Sequence, residues 1–240
     1  MTKKARTILF GICVFLFALT APTVILYSQG YRFDFETKKV VQVGGLYFKV
    51  APRSAQVYLN GKLKETTSLF TSSALIENLL PKMYYVEIKK DGYHSWQKTL
   101  EVKERQVTDA KNITLFPQNI GFATTSSPLP KIIVNATSSD GQKVIEADNH
   151  EILIYFPKED KKIFLTRFSE TIGKIFWLND YYLIFNTGDK LKVAEIDDRD
   201  RLNIIDIAEF KTPEIFWNTA TGKLYILSRK TLFVSENLLP

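Results

Sequence analysis

The feature that most constrains this chain is a long stretch without charge. From Thr7 to Gly30 there is no Asp, Glu, Lys or Arg. The centre of that stretch, Ile8 to Tyr27, reads ILFGICVFLFALTAPTVILY. A helix of this length rises ~30 Å, the hydrocarbon thickness of a bilayer. No polar face recurs at helical spacing, so a buried helix of a soluble core is a poor account of it. Lys3, Lys4 and Arg6 come just before, the usual flank of a cytoplasmic end. The expectation is a cytoplasmic tail over 1–7, a single-pass transmembrane signal anchor over 8–28, and all later residues on the far side of the membrane. A cleaved signal peptide is the competing reading. Its apolar region spans ~7–15 residues and ends at small residues. The one candidate site here, after Ala21, has Leu19 three residues back and Pro22 next. Pro22 is tolerated in a lipid-spanning helix. Cys13 also falls in this segment and is expected to be a packed thiol.

Beyond the anchor, composition excludes more than it identifies. One cysteine and two histidines leave no disulfide framework and almost no material for a zinc site. With 17 Phe and 11 Tyr against 2 Met, the bias is toward strands. The net charge is +6; three of those positive charges lie before the apolar stretch. The remainder is only mildly basic, which is not a nucleic-acid footprint. Lys38-Lys39, Lys89-Lys90 and Lys161-Lys162 read as solvated loop charges.

A polar, aromatic juxtamembrane segment, 29–43, contains Tyr31, Phe33 and Phe35. From Gly44 a period-2 pattern begins. Leu46, Phe48 and Val50 share a face, as do Val57 and Leu59; Asn60-Gly61 then signals a hairpin. Tyr84, Val86 and Ile88 alternate with Tyr85, Glu87 and Lys89. Asp91-Gly92 supplies a turn, Trp96 to Val102 a strand, and Ile113 to Phe116 a last strand before Pro117. Ser73 to Leu80 is expected to be a short helical turn or a loop. The whole, 44–117, reads as a small antiparallel β-sandwich.

These residues resemble the PEGA domain family. Pro52-Arg53-Ser54-Ala55 followed by Val57-Tyr58-Leu59-Asn60-Gly61-Lys62 is similar to the start of such a domain. Leu80-Pro81, Tyr84-Tyr85-Val86 and Gly92-Tyr93 with Trp96 follow the family's later pattern in order, over about 45–116. Ser54 stands where the family usually has glycine, and Lys82 follows Pro81 where glycine is common; a non-glycine residue resists positive φ at such turns. The resemblance implies a small extracytoplasmic β-sandwich of bacterial and archaeal surface proteins, with no catalytic residue carried by the fold. Tyr93 and Trp96 are expected to belong to its core rather than to a binding face.

A linker or loop region is expected over 118–140, with few contacts crossing it. Past it the chain repeats. Ile175-Phe176-Trp177 recurs 40 residues later as Ile215-Phe216-Trp217. A turn, an apolar strand and a third strand follow each copy. Ile152 to Phe156 and Ile163 to Phe168 fit the end of an earlier unit. This spacing suits propeller blades over 141–240, but about three units fit into the wider span 120–240, and a closed propeller needs ~4–8. An open partial propeller, one completed by another chain, and a plain β-meander all remain. Leu232-Phe233-Val234 is expected to form an exposed edge.

The fold expectation is therefore all-β: a transmembrane helix, a PEGA-like sandwich, then a blade-like β-repeat region. No catalytic, cofactor-binding or metal-binding residue is assigned, and no ligand-binding residue is named. His94 and His150 read as surface or turn histidines. Asp197-Asp198-Arg199-Asp200 lacks the glycine and terminal glutamate of a calcium loop and reads as a solvated turn. Asn112-Ile113-Thr114 and Asn135-Ala136-Thr137 match a glycosylation acceptor. The expected partners are membrane lipid through residues 8–27, a cell-envelope protein or glycan, and a second copy through exposed edge strands; nucleic acid is not expected. The function expected is that of a membrane-anchored structural or binding module, non-enzymatic. A second reading is a carbohydrate- or peptide-binding receptor with its site on the C-terminal β region. A third is an enzyme on a degenerate propeller, using carboxylates such as Asp148 or Glu195.

Overall fold

The computed structural model describes residues 2–126, 128–129, 136–236 and 238–239. It is mostly β, with one N-terminal apolar helix, α1 (Lys3–Ser28). Thr2 caps α1, its Oγ1 accepting from the Ala5 amide at 3.4 Å. The helix is long and apolar enough to cross a membrane. None of its residues is buried against protein, and Pro22 lies within it. Cys13 is exposed on its surface rather than packed.

After Gln29-Gly30 the chain forms a hairpin of β1 (Tyr31–Asp34) and β2 (Lys39–Gln42). Seven strands follow: β3 (Gly44–Ala51), β4 (Gln56–Leu59), β5 (Lys62–Thr66), β6 (Ser73–Leu79), β7 (Met83–Lys89), β8 (Trp96–Glu101) and β9 (Val107–Thr114). They form two sheets, ordered β6-β3-β9 and β5-β4-β7-β8. Both contribute to one core: Leu46, Phe48 and Val50 from the first meet Val57, Val86, Ile88 and Trp96 from the second. Trp96 is a core residue, as its alternation with Leu100 requires, and Tyr93 packs against the same core. The Asn60-Gly61 turn has positive φ at both residues, 48° and 76°, the signature of a tight hairpin. Gly44 is needed where β3 begins, since a Cβ there would lie 2.3 Å from the Lys103 carbonyl oxygen.

Two expectations fail in this part. Ser73 to Leu79 is a strand, with Ala74 and Ile76 turned to the core and Leu75 outward. Its serine entry and the left-handed Asn78 (φ 59°) hide a short period-2 run. The sheets are also not wholly antiparallel, because β3 and β9 run parallel. A parallel neighbour needs a crossover rather than a hairpin, and the hairpins before β9 carry the chain back to the start of β3.

The remaining strands are β10 (Phe122–Thr124), β11 (Val144–Ala147), β12 (Glu151–Phe156), β13 (Lys161–Arg167), β14 (Ile172–Asn179), β15 (Tyr182–Thr187), β16 (Lys190–Glu195), β17 (Ile204–Glu209), β18 (Glu214–Asn218), β19 (Lys223–Ser228) and β20 (Thr231–Ser235). They make three sheets, β11-β12-β13, β14-β15-β16-β17 and β18-β19-β20-β10, and none closes on itself. β10 lies in the span expected to be linker, and its pairing with β20 covers the Leu232-Phe233-Val234 edge. Ser127, Pro130 and residues 131–135 of that span, Asn135 of the second acceptor triplet included, lie outside the described residues.

The three sheets pack face to face. Trp177, Leu183 and Phe185 of the middle sheet meet Ile152, Ile154 and Leu165 of the first. On the opposite face Phe176, Ile184 and Val193 meet Ile215, Trp217, Leu224 and Ile226 of the third. Each repeated tryptophan thus faces the sheet that precedes its own. Their cross-strand partners also correspond, Leu183 for Trp177 and Leu224 for Trp217.

Candidate functional site

The densest polar chemistry lies where the two β units meet. β8 is an edge strand, and on its core-facing side Lys98 stands between Trp96 and Leu100. Lys98 is fully buried, and a charge in that position needs a partner. Its Nζ lies 2.7 Å from Glu195 Oε1 and donates to the Asp197 carbonyl at 2.7 Å. Glu195, itself 4% exposed, is saturated by donors. Trp96 Nε1 donates to Oε2 at 2.7 Å, and the Asn203 amide and Nδ2 donate to Oε1 at 3.1 and 2.7 Å.

The loop after Glu195 then seals the open edge of β8 with side chains. Asn203 Oδ1 accepts from the Gln97 amide, and its Nδ2 donates to the Gln97 carbonyl. One side-chain amide therefore takes the place of a neighbouring strand's peptide group. Asp200 accepts from the Thr99 amide at 2.7 Å, which holds its carboxyl below the ordinary range. Arg199 reaches the Asp109 carbonyl, and Arg201 reaches Gln97 Oε1. Burial pushes the Asp197 carboxyl up, but the hydrogen bond from Arg199 and the charge of Lys98 outweigh it, leaving it below the usual value. On the other side of the seam the Thr114 amide donates to the Tyr182 hydroxyl at 2.9 Å. Burial, with the Glu195 charge added, raises the Tyr182 phenol.

One sequence expectation changes here. Asp198, Arg199 and Asp200 are exposed, as in a solvated turn, but the run also clasps the seam. Among the described residues no strand of one β unit pairs with a strand of the other; what crosses between them is this set of side-chain bonds and the Phe116–Tyr182 ring contact. The readable signal was Lys98 itself, a lysine at a core-facing position of an alternating strand. His94, just before β8, is half-buried at the same seam; its Nε2 is buried and has no hydrogen-bond partner among the described residues. Burial lowers its imidazole, against the opposing charge of Asp206.

Two clefts carry polar groups beside aromatic rings, one at the seam and one at the end of the repeated hairpins. One, of about 250 Å³, is lined by Lys111, Asn112, Lys143, Tyr181, Glu195 and Arg199. Its cations are already paired: Lys111 with Asp109, Lys143 with Asp140 and Arg199 with Asp197. Asn112, of the first acceptor triplet, is exposed here. The other cleft, of about 410 Å³, opens where β14 and β18 end, and Trp177, Asn179, Trp217, Thr219 and Leu239 line it. Trp177 Nε1 donates to the Ala136 carbonyl at 2.7 Å, whereas Trp217 Nε1 finds no acceptor among the described residues.

The two carboxylates considered for catalysis are not brought together in one site. Asp148 caps the turn before β12, accepting from the His150 and Glu151 amides at 2.7 Å, while Glu195 is held in the seam. Among the described residues no group of three His, Cys, Asp or Glu side chains is placed to hold a metal ion. Comparison with protein-family models gave no match, and comparison with curated proteins gave none either.

Proposed function

We propose that this chain is a PEGA-domain protein of a bacterial or archaeal surface, anchored by residues 8–28 with its N-terminus cytoplasmic. Outside the membrane it acts as a structural or binding module and not as an enzyme. The carrying observation is the seam. The buried charged side chains of β8 and the 195–203 segment are spent on fixing one β unit against the other, leaving their oxygens and nitrogens occupied by each other. Such a clasp suits a scaffold that presents a surface at a fixed position. The PEGA assignment is supported by Ser54, which adopts φ 59° at the position where the family usually places glycine. A partial propeller is supported by three stacked sheets in which the repeated tryptophans face the same way.

The test is topological. Alkaline phosphatase fused after Phe116 should be active and remain with the membrane fraction. An inactive fusion would overturn the orientation, and a released product lacking the first two dozen residues would overturn the anchor. A pull-down from membranes with the full chain then separates scaffold from receptor. The receptor reading is favoured by one observation, the unpartnered Trp217 N–H beside a cleft lined by two indoles, Thr219 and Asn179. Aromatic faces with nearby polar groups suit a glycan or peptide. Direct binding that is lost in Trp217→Phe would select it.

A further inference from the structure

We infer that the β1–β2 hairpin is a second membrane contact, lying in the lipid headgroup layer beside the end of α1; this rests on α1 being the anchor. Register divides the hairpin into two faces. Arg32, Val41, Asp34 and Lys39 share one; Tyr31, Gln42, Phe33 and Val40 share the other. The first face belongs to the protein. Arg32 donates to Asn78 Oδ1 at 3.0 Å, and Asp34 is buried. At the turn, Glu36 pairs with Lys82 at 3.0 Å.

Those two attachments fix where the hairpin lies. β6 runs antiparallel to β3 with Leu79 opposite Gly44, so Asn78 and Lys82 both sit at the end where β3 begins. That is also the end joined to the helix, through the Val43 amide on the Gly30 carbonyl. The hairpin therefore lies across the helix-proximal end of the β unit, base near Asn78 and turn near Lys82. Its second face looks away from the protein. There Phe33, Phe35 and Val40 are 48, 84 and 61% exposed, and the two rings meet edge to face at 5.1 Å.

Continuity and charge identify the occupant. The hairpin starts at Tyr31, just past the end of α1 at Ser28, and is held against it where Arg32 stacks 3.4 Å over the Tyr27 ring and donates to the Tyr27 carbonyl. Aromatic side chains concentrate at this level of a bilayer. Lys38 at the turn, and Lys39, which is exposed at the first position of β2 although it shares the register of Asp34, add the positive charge that anionic headgroups attract. An anionic lipid surface is the partner whose chemistry matches both the rings and the lysines.

The test uses the full chain in nanodiscs containing phosphatidylglycerol. Spin labels are placed at Phe35→Cys and, as a water-exposed reference, at Phe70→Cys, each in a Cys13→Ser background. Phe70 is 90% exposed and belongs to the loop that meets β3 at its far end, where the Val50 amide bonds the Ser72 carbonyl. The label at 35 should collide with a water-soluble nickel chelate several-fold less often than the label at 70, and more often with oxygen. Lys38→Glu with Lys39→Glu should raise nickel access at 35 in anionic discs and leave it unchanged in neutral ones. Equal nickel access at 35 and 70 would overturn the contact. A label on native Cys13 tells the failures apart. If it is shielded while 35 is not, only the hairpin contact falls; if it too is open to nickel, the anchor falls with it.

Discussion

At the residue scale, Lys98 shows how a single polar side chain can decide an interface. A buried pair is weak evidence for stability in itself, yet removing one partner leaves an uncompensated charge. Lys98→Met strands Glu195, already holding Trp96 and Asn203, and should cost about 3–5 kcal/mol. Urea titrations of the full chain in detergent would measure it, and a loss below about 1 kcal/mol would mean that water reaches the pair in solution. Ser54 makes the opposite case. Its φ of 59° costs an L side chain about 1–2 kcal/mol, so Ser54→Gly should raise stability by up to about 1 kcal/mol after glycine's greater chain entropy is subtracted. The sequence marked Ser54 because a family pattern has glycine there. It marked Asp197 only as part of a solvated turn and did not mark Asn203, since what they bond lies on β8, about a hundred residues away in the chain, and no local pattern encodes that.

At the element scale, legibility followed periodicity. β3, β4 and β7 were readable because one face of each is buried and the other is not. β6 was obscured by its serines and by Asn78. β10 was invisible because a strand of three residues inside a serine- and threonine-rich stretch has no period to detect. The 40-residue echo was readable, and its tryptophans lie at matching places in successive hairpins. They are not identical in chemistry. Trp177→Ala and Trp217→Ala should each cost ~3–5 kcal/mol. The phenylalanine variants should separate them, because only Trp177 loses a hydrogen bond, that to Ala136. Trp177→Phe should be the worse of the two by about 1 kcal/mol. Equal losses in thermal melts would mean that Trp217 Nε1 has a bound water in solution.

At the scale of the whole molecule, the seam ties the two β units together through buried side chains, and they are expected to unfold as one. Calorimetry of the full chain should give a single transition for its strands; two resolved transitions would show that the clasp is energetically slight. Acid should weaken the molecule in two stages. The His94 imidazole is lowered in the folded chain, so the unfolded chain binds the extra proton first. Stability is then lost as pH falls from about 6.5 toward the folded value, and His94→Gln should abolish that stage. Asp197 and Asp140 are depressed carboxylates, Asp140 to about 2 by its hydrogen bonds from Lys143 and Ser138. Their contribution is intact above the ordinary carboxylate value, about 4, and disappears below it as each folded value is passed. Chevron midpoints between pH 7.5 and 2.5 would reveal both stages. The pairing of β10 with β20 has a different kind of consequence, one of timing. Phe122 emerges from the ribosome long before Ser235, its partner in the ladder, and closing so long a loop is intrinsically slow. During synthesis the segment around Phe122 waits unpaired while the two sheets between them assemble, and the third is completed only when β20 arrives.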